Sequence, residues 1–329
     1  MVHIDTARIY SGGATEGILG SALKQMKVSS SMDDNIIVGS KAHPSWEMGG
    51  LSPKGIESQF KKSMEEVGGS EEGGLTSFGE YYLHQPDTEH SLLESLRCID
   101  GLVADGLIRS FGMSNYHVTE MERAFELCEQ YGLTKPTVCQ SLYNPLNRAV
   151  ETQLLPLLKA NKCSFVAYNP LAAGLLTGKH HTQTQTRIRP QLVQDGRFKD
   201  NPNYLPRFYT DANFEAVQLI KTACDHEGVT LVDATFKWLL RHSALGIHDG
   251  ILLGASSVSQ LRQNLDACLA ATDEGDEGLS DDIIQAFDDA SKLAEVDAFP
   301  YWRSYSKDMP GRDDMDHGAS YSSGTKQKK

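Results

Sequence analysis

Four residues in the first quarter of the chain have the side-chain types that proton transfer to a carbonyl oxygen requires. Asp5 and Tyr10 lie in the segment IDTARIY, Lys41 follows IIVGS, and His84 follows YYL. A free tyrosine has a pKa near about 10, too high for easy donation at neutral pH, but a neighbouring ammonium stabilises the phenolate. Lys41 would supply this charge, and Asp5 would keep Lys41 protonated. His84 would hydrogen bond to the substrate oxygen.

Taken one at a time, these residues also have ordinary structural interpretations. Asp5 could be a turn residue, Tyr10 a half-buried anchor, Lys41 an exposed loop charge and His84 a core histidine with satisfied hydrogen bonds. Their shared position at the ends of successive strands favours the chemical interpretation. Adjacent parallel strands lie about 4.8 Å apart, so groups at neighbouring carboxyl ends can meet over one pocket.

Seven short apolar segments are predicted as strands, and each ends in a polar residue. They are residues 3–6, 36–41, 80–84, 110–115, 137–140, 164–169 and 250–256. Helix-length segments with apolar residues three and four apart lie between them, among them 53–67, 91–106, 118–132 and 258–271. The alternation predicts an α/β fold with a parallel sheet, either doubly wound or closed into a (β/α)8 TIM barrel.

The polar residues at the strand ends favour the barrel, because a doubly wound sheet concentrates its cofactor contacts at one crevice. Besides Asp5, Lys41 and His84, they are Ser114, Asn115, Gln140, Asn169 and Ser256. No strand is followed by Gly-x-Gly-x-x-Gly, and GLLTGK (174–179) has three residues between its glycines where a phosphate-binding P-loop has four. Rossmann and P-loop sites are therefore not expected.

The order of these motifs resembles the aldo-keto reductase superfamily from Ile4 to about Arg303. IDTA with Tyr10 comes first, then Lys41, LHQPD, FGMSN (111–115), Gln140, NPLAAGLLTGK (169–179) and GASSVSQLRQN (254–264). NPLAAGLLTGK and FPYWR (299–303) are most similar to the aflatoxin aldehyde reductase branch, whose members reduce aldehydes such as succinic semialdehyde with NADPH. The resemblance implies a TIM barrel of aldo-keto reductase type, NADP(H) as cofactor and a small aldehyde as substrate.

By that resemblance Tyr10 is the general acid and Asp5, Lys41 and His84 complete the catalytic set. Ser114, Asn115 and Gln140 would hold the nicotinamide carboxamide, and Tyr168 would stack on its ring. The wider cofactor-binding set that the resemblance implies is Asn169, Pro170, Leu171, Gly174, Leu176, Gly178, Lys179, Arg197, Gly254, Ser256, Ser257, Gln260, Arg262 and Asn264. The adenosine ribose and its 2′-phosphate would be surrounded by Ser256, Ser257, Gln260, Arg262 and Asn264 at a helix N-terminus, which favours an anion. Ordinary capping of strand and helix ends is the alternative for these residues.

The segment from Lys179 to Thr210 is long for a connection and lacks periodicity, which is typical of a functional loop. Tyr204 and Arg207 within it resemble substrate contacts, as does His84. The arginines of this loop, Arg197 and Arg207, would receive the distal carboxylate of a semialdehyde acid together with Arg303, because a guanidinium presents a planar fork that matches a carboxylate. Surface arginines without a ligand are the alternative.

Family members carry a hairpin, a strand and a helix before the IDTA motif, whereas Asp5 here is the fifth residue. We therefore expect a barrel domain over 1–303 that lacks its first βα unit, through a truncated gene model or an alternative transcript. Residues 304–329 contain few aliphatic side chains, which predicts a disordered polar tail. A nucleotide-binding regulatory subunit of the potassium-channel β type and an inactive truncated product are the alternatives to an active reductase.

Composition excludes several other classes of function. Lys and Arg total 31 against 44 Asp and Glu, giving a net charge of −13, which argues against nucleic acid or an anionic membrane as partner. The six cysteines contain no Cys-x-x-Cys pair, which argues against a zinc site and a disulfide framework. No apolar run is long enough to span a membrane, and no signal peptide is recognisable. We expect a cytoplasmic enzyme, with a homodimer as a possible assembly and no metal.

Overall fold

The computed structural model describes residues 2–26, 36–68, 75–179, 204–273, 275–316 and 318–319. Strands and helices alternate along these residues. The strands are β1 Val2–Asp5, β2 Ile36–Ala42, β3 Phe78–Leu83, β4 Ile108–Ser114, β5 Val138–Leu142, β6 Ser164–Tyr168 and β7 Gly250–Ile251. The helices are α1 Ala14–Gln25, α2 Pro53–Gly68, α3 Leu92–Ala104, α4 Val118–Tyr131, α5 Leu154–Ala160, α6 Leu205–Phe208, α7 Asp211–Glu227, α8 Leu231–Lys237, α9 Val258–Ala271 and α10 Asp281–Ala294.

The strands follow one another in the sheet in chain order, β1 to β7. Neighbouring pairs are parallel, as between β1 and β2, where Asp5 lies opposite Gly39, and between β6 and β7, where Ala167 lies opposite Ile251. The α/β architecture predicted from the sequence is confirmed. Closure into a barrel and the absence of a first βα unit stay predictions.

All seven predicted strands form, but the last is much shorter than expected. The sequence predicted a strand over 250–256, whereas β7 contains two residues. The Leu252 N–H still donates to the Ala167 carbonyl over 2.9 Å, but Gly254 and the serines that follow it are exposed and lead to Ser257, the N-cap residue of α9. The apolar pattern continues past Ile251 because it does not distinguish a strand from the extended connection that follows it.

The chain divides into two compact units, and the first contains Met1–Ser141, Pro156–Ser164 and Trp302–Ser320. One row across its sheet joins Lys41, Tyr82, Gly112 and Val138 on four successive strands. A Cβ on Gly112 would lie 2.4 Å from Cε1 of Tyr82, so only glycine leaves room for this ring. The ring in turn lies beneath the Lys41 ammonium, with Nζ 5.3 Å from its centroid.

The second unit contains Leu142–Leu155 and Phe165–Tyr301 and has a core of its own. Trp238 and Phe287 are fully buried and stack with ring centroids 5.6 Å apart. Tyr143 packs against Trp238, and the Arg148 guanidinium lies 5.0 Å from the centroid of the Trp238 ring. This aromatic cluster anchors α8 and α10.

The prediction of a disordered tail from residue 304 is wrong for residues 304–316, which the structure places against the first unit. Tyr305 and Met309 are buried, and the backbone N–H of Ser306 donates to the Glu120 carboxylate over 2.7 Å. The average composition of the tail did not reveal these few contacts. A short segment can be ordered by a small number of buried side chains when its polar groups are also hydrogen bonded. Residues 317 and 320–329 lie outside the described residues.

Among the described residues, no helix is both long and apolar enough to cross a membrane.

Candidate functional site

The ends of the first three strands bring the four predicted catalytic side chains together in the first unit. Asp5 is the last residue of β1, Lys41 is the penultimate residue of β2, and His84 directly follows β3. The backbone N–H of His84 donates to the Ala42 carbonyl over 2.9 Å, which continues the sheet pattern past the strand end. Tyr10 opens a 3-10 turn that runs to Gly13.

Lys41 is the buried centre of this cluster. Its ammonium donates to both carboxylate oxygens of Asp5 over 2.6 Å and to the Thr6 carbonyl over 2.9 Å. The Lys41 Nζ also lies 5.2 Å from the Tyr10 ring centroid. Burial alone would lower the pKa of Lys41, but the Asp5 charge and the Tyr10 oxygen outweigh it and raise the pKa above its ordinary value. Lys41 is therefore a fixed positive charge beside a phenol.

His84 also lies close to the phenol, with the ring centroids of Tyr10 and His84 5.6 Å apart and an interplanar angle of 81°. A second imidazole, that of His43, packs edge-on against His84 at 5.2 Å. Burial lowers the pKa of His84 well below 6.5, and the charges of Lys41 and Arg303 lower it further. His84 is therefore neutral at physiological pH.

A buried ion pair braces the loop that carries Tyr10. The Arg8 guanidinium donates to the Glu16 carboxylate over 2.9 Å, and the Ser40 hydroxyl donates to the same carboxylate over 2.5 Å. Glu16 is the third residue of α1 and is fully buried. This carboxylate therefore fastens both the loop before Tyr10 and the helix after it to β2, next to Lys41.

The polar residues at the ends of β4 and β5 lie beside this cluster, as the sequence predicted. The Asn115 side-chain amide donates to the His84 carbonyl over 2.9 Å and to the Ser114 hydroxyl over 3.0 Å. Asn115 has φ = 64°, a left-handed conformation that asparagine tolerates better than most residues. The Gln140 side-chain amide donates to Asp5 over 3.0 Å, so Gln140 also orients the carboxylate that holds Lys41.

The other residues expected to contact the cofactor lie in the second unit, on two segments. Tyr168, Asn169, Pro170, Leu171, Gly174, Leu176, Gly178 and Lys179 form the end of β6 and the 3-10 turn after it, and Gly254, Ser256, Ser257, Gln260, Arg262 and Asn264 lie at the start of α9. Asn169 and Gly174 both have positive φ, which makes the sharp turn after β6.

Ser257 caps the N-terminus of α9. Its hydroxyl accepts a bond from the backbone N–H of Gln260 over 3.2 Å, and the side-chain amide oxygen of Gln260 accepts from the backbone N–H of Ser256 over 3.0 Å. Arg262 is exposed and Asn264 is buried. Capping is thus observed for Ser257, and contact of these residues with a cofactor stays a prediction.

The predicted substrate contacts have different surroundings. In the first unit, Arg303 is buried and its backbone N–H donates to the Asn115 carbonyl over 3.0 Å. In the second unit, the Arg207 guanidinium lies 4.0 Å from the centroid of the Phe299 ring, and Tyr204 stacks on Phe208 at 6.1 Å. Arg197 lies outside the described residues.

Within the described ranges, no group of three or more His, Cys, Asp or Glu side chains has the arrangement of a metal site.

Comparison with known proteins agrees with this arrangement. Residues 1–281 match the model of the aldo/keto reductase family. The chain belongs to this family. Aflatoxin B1 aldehyde reductase member 2 of Rattus norvegicus is 34% identical over 310 residues, which cover 92% of this chain and 79% of the rat protein. Aflatoxin B1 aldehyde reductase member 4 of Homo sapiens is 34% identical over 300 residues, which cover 88% of this chain and 85% of the human protein. Aldo-keto reductase family 7 member A3 of Homo sapiens is 33% identical over 310 residues, which cover 92% of this chain and 88% of that protein.

The resemblance to the aldo-keto reductases that the motifs indicated is thereby confirmed, and so is the similarity to aflatoxin aldehyde reductases. Membership of this family makes the protein an oxidoreductase, and the aldo/keto reductase family generally uses nicotinamide cofactors.

Sequence reasoning missed three features of the site of this aldo/keto reductase. His43 is two residues beyond Lys41, a spacing that puts both on one face of an extended segment, and this period of two was the available signal. The Arg8–Glu16 pair had no such signal, because the carboxylate lies on a helix and the guanidinium in a loop. The third feature, the contacts of residues 302–309, was hidden by the expectation of disorder.

Proposed function

We propose that this chain reduces aldehydes to alcohols with NADPH, and that Tyr10 delivers the proton to the carbonyl oxygen. The observation that carries the proposal is that two groups lie close to the Tyr10 ring: the Lys41 ammonium, 5.2 Å from the ring centroid, and the His84 imidazole, with 5.6 Å between the ring centroids. A phenol beside a permanent positive charge and a neutral imidazole suits general acid catalysis.

Lys41 makes Tyr10 a better acid without taking part in the proton transfer itself. The negative charge that remains on the phenolate after donation is stabilised by the ammonium, which lowers the free energy of the deprotonated form. Asp5 holds Lys41 with two bonds of 2.6 Å, and Gln140 holds Asp5. The charge is therefore in place before the reaction begins, as preorganised electrostatic stabilisation requires.

His84 orients the substrate oxygen. Its Nδ1 is buried and has no hydrogen-bond partner within the described part of the chain. Because a buried N–H without an acceptor is rarer than a buried lone pair without a donor, we assign the proton of the neutral ring to Nε2. Nε2 then donates to the carbonyl oxygen and polarises it.

The residues present fit a nicotinamide cofactor. A nicotinamide carboxamide has one donor and one acceptor group, and the neutral hydroxyl and amide side chains of Ser114, Asn115 and Gln140 can match both. The bonds of Asn115 to His84 and Ser114, and that of Gln140 to Asp5, keep these side chains at the strand ends beside the catalytic cluster. When bound, the cofactor supplies the hydride for the carbonyl carbon. The preference for NADP over NAD rests on the family resemblance, together with Arg262 as a cation near the N-terminus of α9.

The proposed substrates are small aldehydes, including those with a distal carboxylate. Arg303 is a buried cation whose charge acts on both His43 and His84, so it lies close enough to influence a ligand at His84. The relatives named above are aldehyde reductases by name, which supports an aldehyde as the reacting group.

The test is NADPH consumption by the purified chain with 4-nitrobenzaldehyde and with succinic semialdehyde, compared with NADH in parallel. We expect turnover of both aldehydes and a preference for NADPH. NADPH binding without turnover would contradict the proposed activity and favour a regulatory nucleotide-binding role. Equal use of NADH would show that the assigned cofactor preference is wrong.

A further inference from the structure

Residues 302–309 form a strap across the first unit. Three of its backbone N–H groups donate hydrogen bonds to this unit. That of Arg303 donates to the Asn115 carbonyl over 3.0 Å, that of Ser306 to the Glu120 carboxylate over 2.7 Å, and that of Lys307 to the Asp87 carbonyl over 3.0 Å. The strap thus contacts the segment that follows β4, the helix α4 and the loop between β3 and α3.

The side chain of Asp308 makes three bonds near one end of the strap, where the Lys307 N–H also donates to the Asp87 carbonyl. The Asp308 carboxylate accepts bonds from the Leu92 N–H over 2.8 Å, from the Ser91 hydroxyl over 2.8 Å and from Arg123 over 2.7 Å. Ser91 is the N-cap residue of α3 and makes no side-chain cap bond within its own helix. Asp308 therefore caps α3 from a distant part of the chain, where a negative charge also complements the helix dipole.

The other end of the strap holds Arg303 beside the catalytic cluster. The Arg303 N–H binds the carbonyl of Asn115, and the Asn115 side chain binds the carbonyl of His84. A terminal nitrogen of the Arg303 guanidinium donates to the carbonyl of Ala319 over 3.4 Å. The position of this cation relative to His84 is thus set by the path of the strap.

We propose that Asp308 is a positioning residue that gives the site its selectivity for carboxylated aldehydes, by clasping the strap to α3 and so holding Arg303 next to His84. This inference rests on the proposed reductase function. A guanidinium held in one place can meet a carboxylate with both of its donors, whereas a mobile one loses that geometry. We call the bonds of Asp308 to Ser91, Leu92 and Arg123 the clasp. Uncharged aldehydes need the catalytic cluster only, so their turnover does not depend on the clasp.

The chain offers a matched control on the same segment. Asp313 also pairs with an arginine, Arg312, at 3.4 Å, but its side chain is 92% exposed against 29% for Asp308. Asp313→Asn and Asp308→Asn therefore remove the same charge from two carboxylates, of which only Asp308 caps a helix.

The experiment measures KM and kcat for succinic semialdehyde and 4-nitrobenzaldehyde in the intact chain and in Asp308→Ala, Asp308→Asn and Asp313→Asn. For Asp308→Ala we expect the KM for succinic semialdehyde to rise about tenfold. Both constants for 4-nitrobenzaldehyde should stay within about twofold. Asp308→Asn keeps an oxygen for Leu92 and should have a smaller effect, and Asp313→Asn should have none. Equal losses for both aldehydes, or no loss for either, would overturn the proposal.

Hydrogen exchange provides a readout that does not need turnover. The amides of Arg303, Ser306 and Lys307 should exchange at least about tenfold faster in Asp308→Ala than in Asp313→Asn. Unchanged exchange would refute the clasp even if the chain proved inactive. An intact chain that reduces neither aldehyde would refute the reductase function, and the exchange result would still decide whether Asp308 holds the strap.

Discussion

Lys41 illustrates how one buried charge can organise a site. A lysine removed from water normally loses its proton more readily, yet the two short contacts with Asp5 more than compensate and keep it charged. The pair is neutral as a whole, so it leaves no uncompensated charge in the sheet. What it presents to Tyr10 is a local positive field.

At the same scale, the neutrality of His84 predicts a pH profile. Because burial and the Lys41 charge keep the pKa of His84 well below 6.5, the ring does not titrate in the neutral range. We expect kcat/KM for an uncharged aldehyde to show no inflection near about pH 6.5. The variant His84→Gln should be slower with an acid limb of the same shape. An inflection near that pH in the parent chain that disappears in the variant would contradict a neutral His84.

The residues of the catalytic cluster could be predicted from sequence because each ends or follows a strand, and strand ends meet at one edge of a parallel sheet. Their roles came from the family resemblance. The bond from Gln140 to Asp5 could not be predicted, because it depends on which way an amide points after folding.

At the scale of elements, the loop between β1 and α1 owes its position to Glu16. Replacing Glu16 by alanine leaves the Arg8 guanidinium, whose side chain is 12% exposed, without its main partner. Loss of one member of a buried pair costs about 3 kcal/mol of unfolding free energy, and the loop with Tyr10 would also loosen. Chemical denaturation should show this loss for Glu16→Ala and a smaller one for Glu16→Gln.

Glu65→Ala is the matched control for that experiment, since Glu65 pairs with Lys61 at 4.0 Å on the surface. Exposed pairs of this kind contribute little to stability. Equal stability of Glu16→Ala and Glu65→Ala would contradict the bracing role.

The contact between α4 and residues 302–309 carries a second element-scale prediction. Burial raises the pKa of Glu120 from 4.5 to about 7, although its bond from Ser306 acts in the opposite direction. The folded state therefore binds a proton that the unfolded state has lost, and stability falls as the pH rises from about 4.5 through 7. Glu120→Gln removes this dependence and should stabilise the protein more at pH 8 than at pH 5, by on the order of 2 kcal/mol.

Thermal unfolding of the parent chain and Glu120→Gln at both pH values tests this sign. A gain that is larger at the lower pH would show that the folded state prefers the charged carboxylate. The order of this region was unpredictable from composition, because Ser306 and Asp308 act through single bonds to α4 and α3 that no sequence window contains.

On the scale of the whole molecule, the alternation of strands and helices was the most predictable feature. Apolar segments such as IIVGS are buried on both faces of the sheet, and this burial gives the continuous apolar pattern by which parallel strands are recognised. The end of β7 was less predictable, because the apolar residues after Ile251 belong to the connection that leads to α9. A hydrophobic pattern alone does not distinguish such an extended connection from a strand.

The distribution of thiols gives a prediction for the whole chain. All six cysteines are free, and burial raises the pKa of Cys139 to about 12 and that of Cys98 and Cys268 to about 11. A thiol reagent at about pH 8 should therefore react slowly with the native protein and rapidly with all six after denaturation. A reductant should not change Tm. A thiol that reacts at the rate of free cysteine in the native protein would contradict this account.

The central claim is that the Tyr10 hydroxyl is the proton donor, and the most direct test is the turnover number of Tyr10→Phe with NADPH and 4-nitrobenzaldehyde. The phenylalanine keeps the ring close to Lys41 and His84 and removes only the acidic group, while Tyr131→Phe removes a hydroxyl from a tyrosine that is 45% exposed on α4. We predict that kcat falls at least about 100-fold in Tyr10→Phe, with NADPH affinity unchanged, and stays at the parent value in Tyr131→Phe. Turnover by Tyr10→Phe at the parent rate would show that the proton comes from another group.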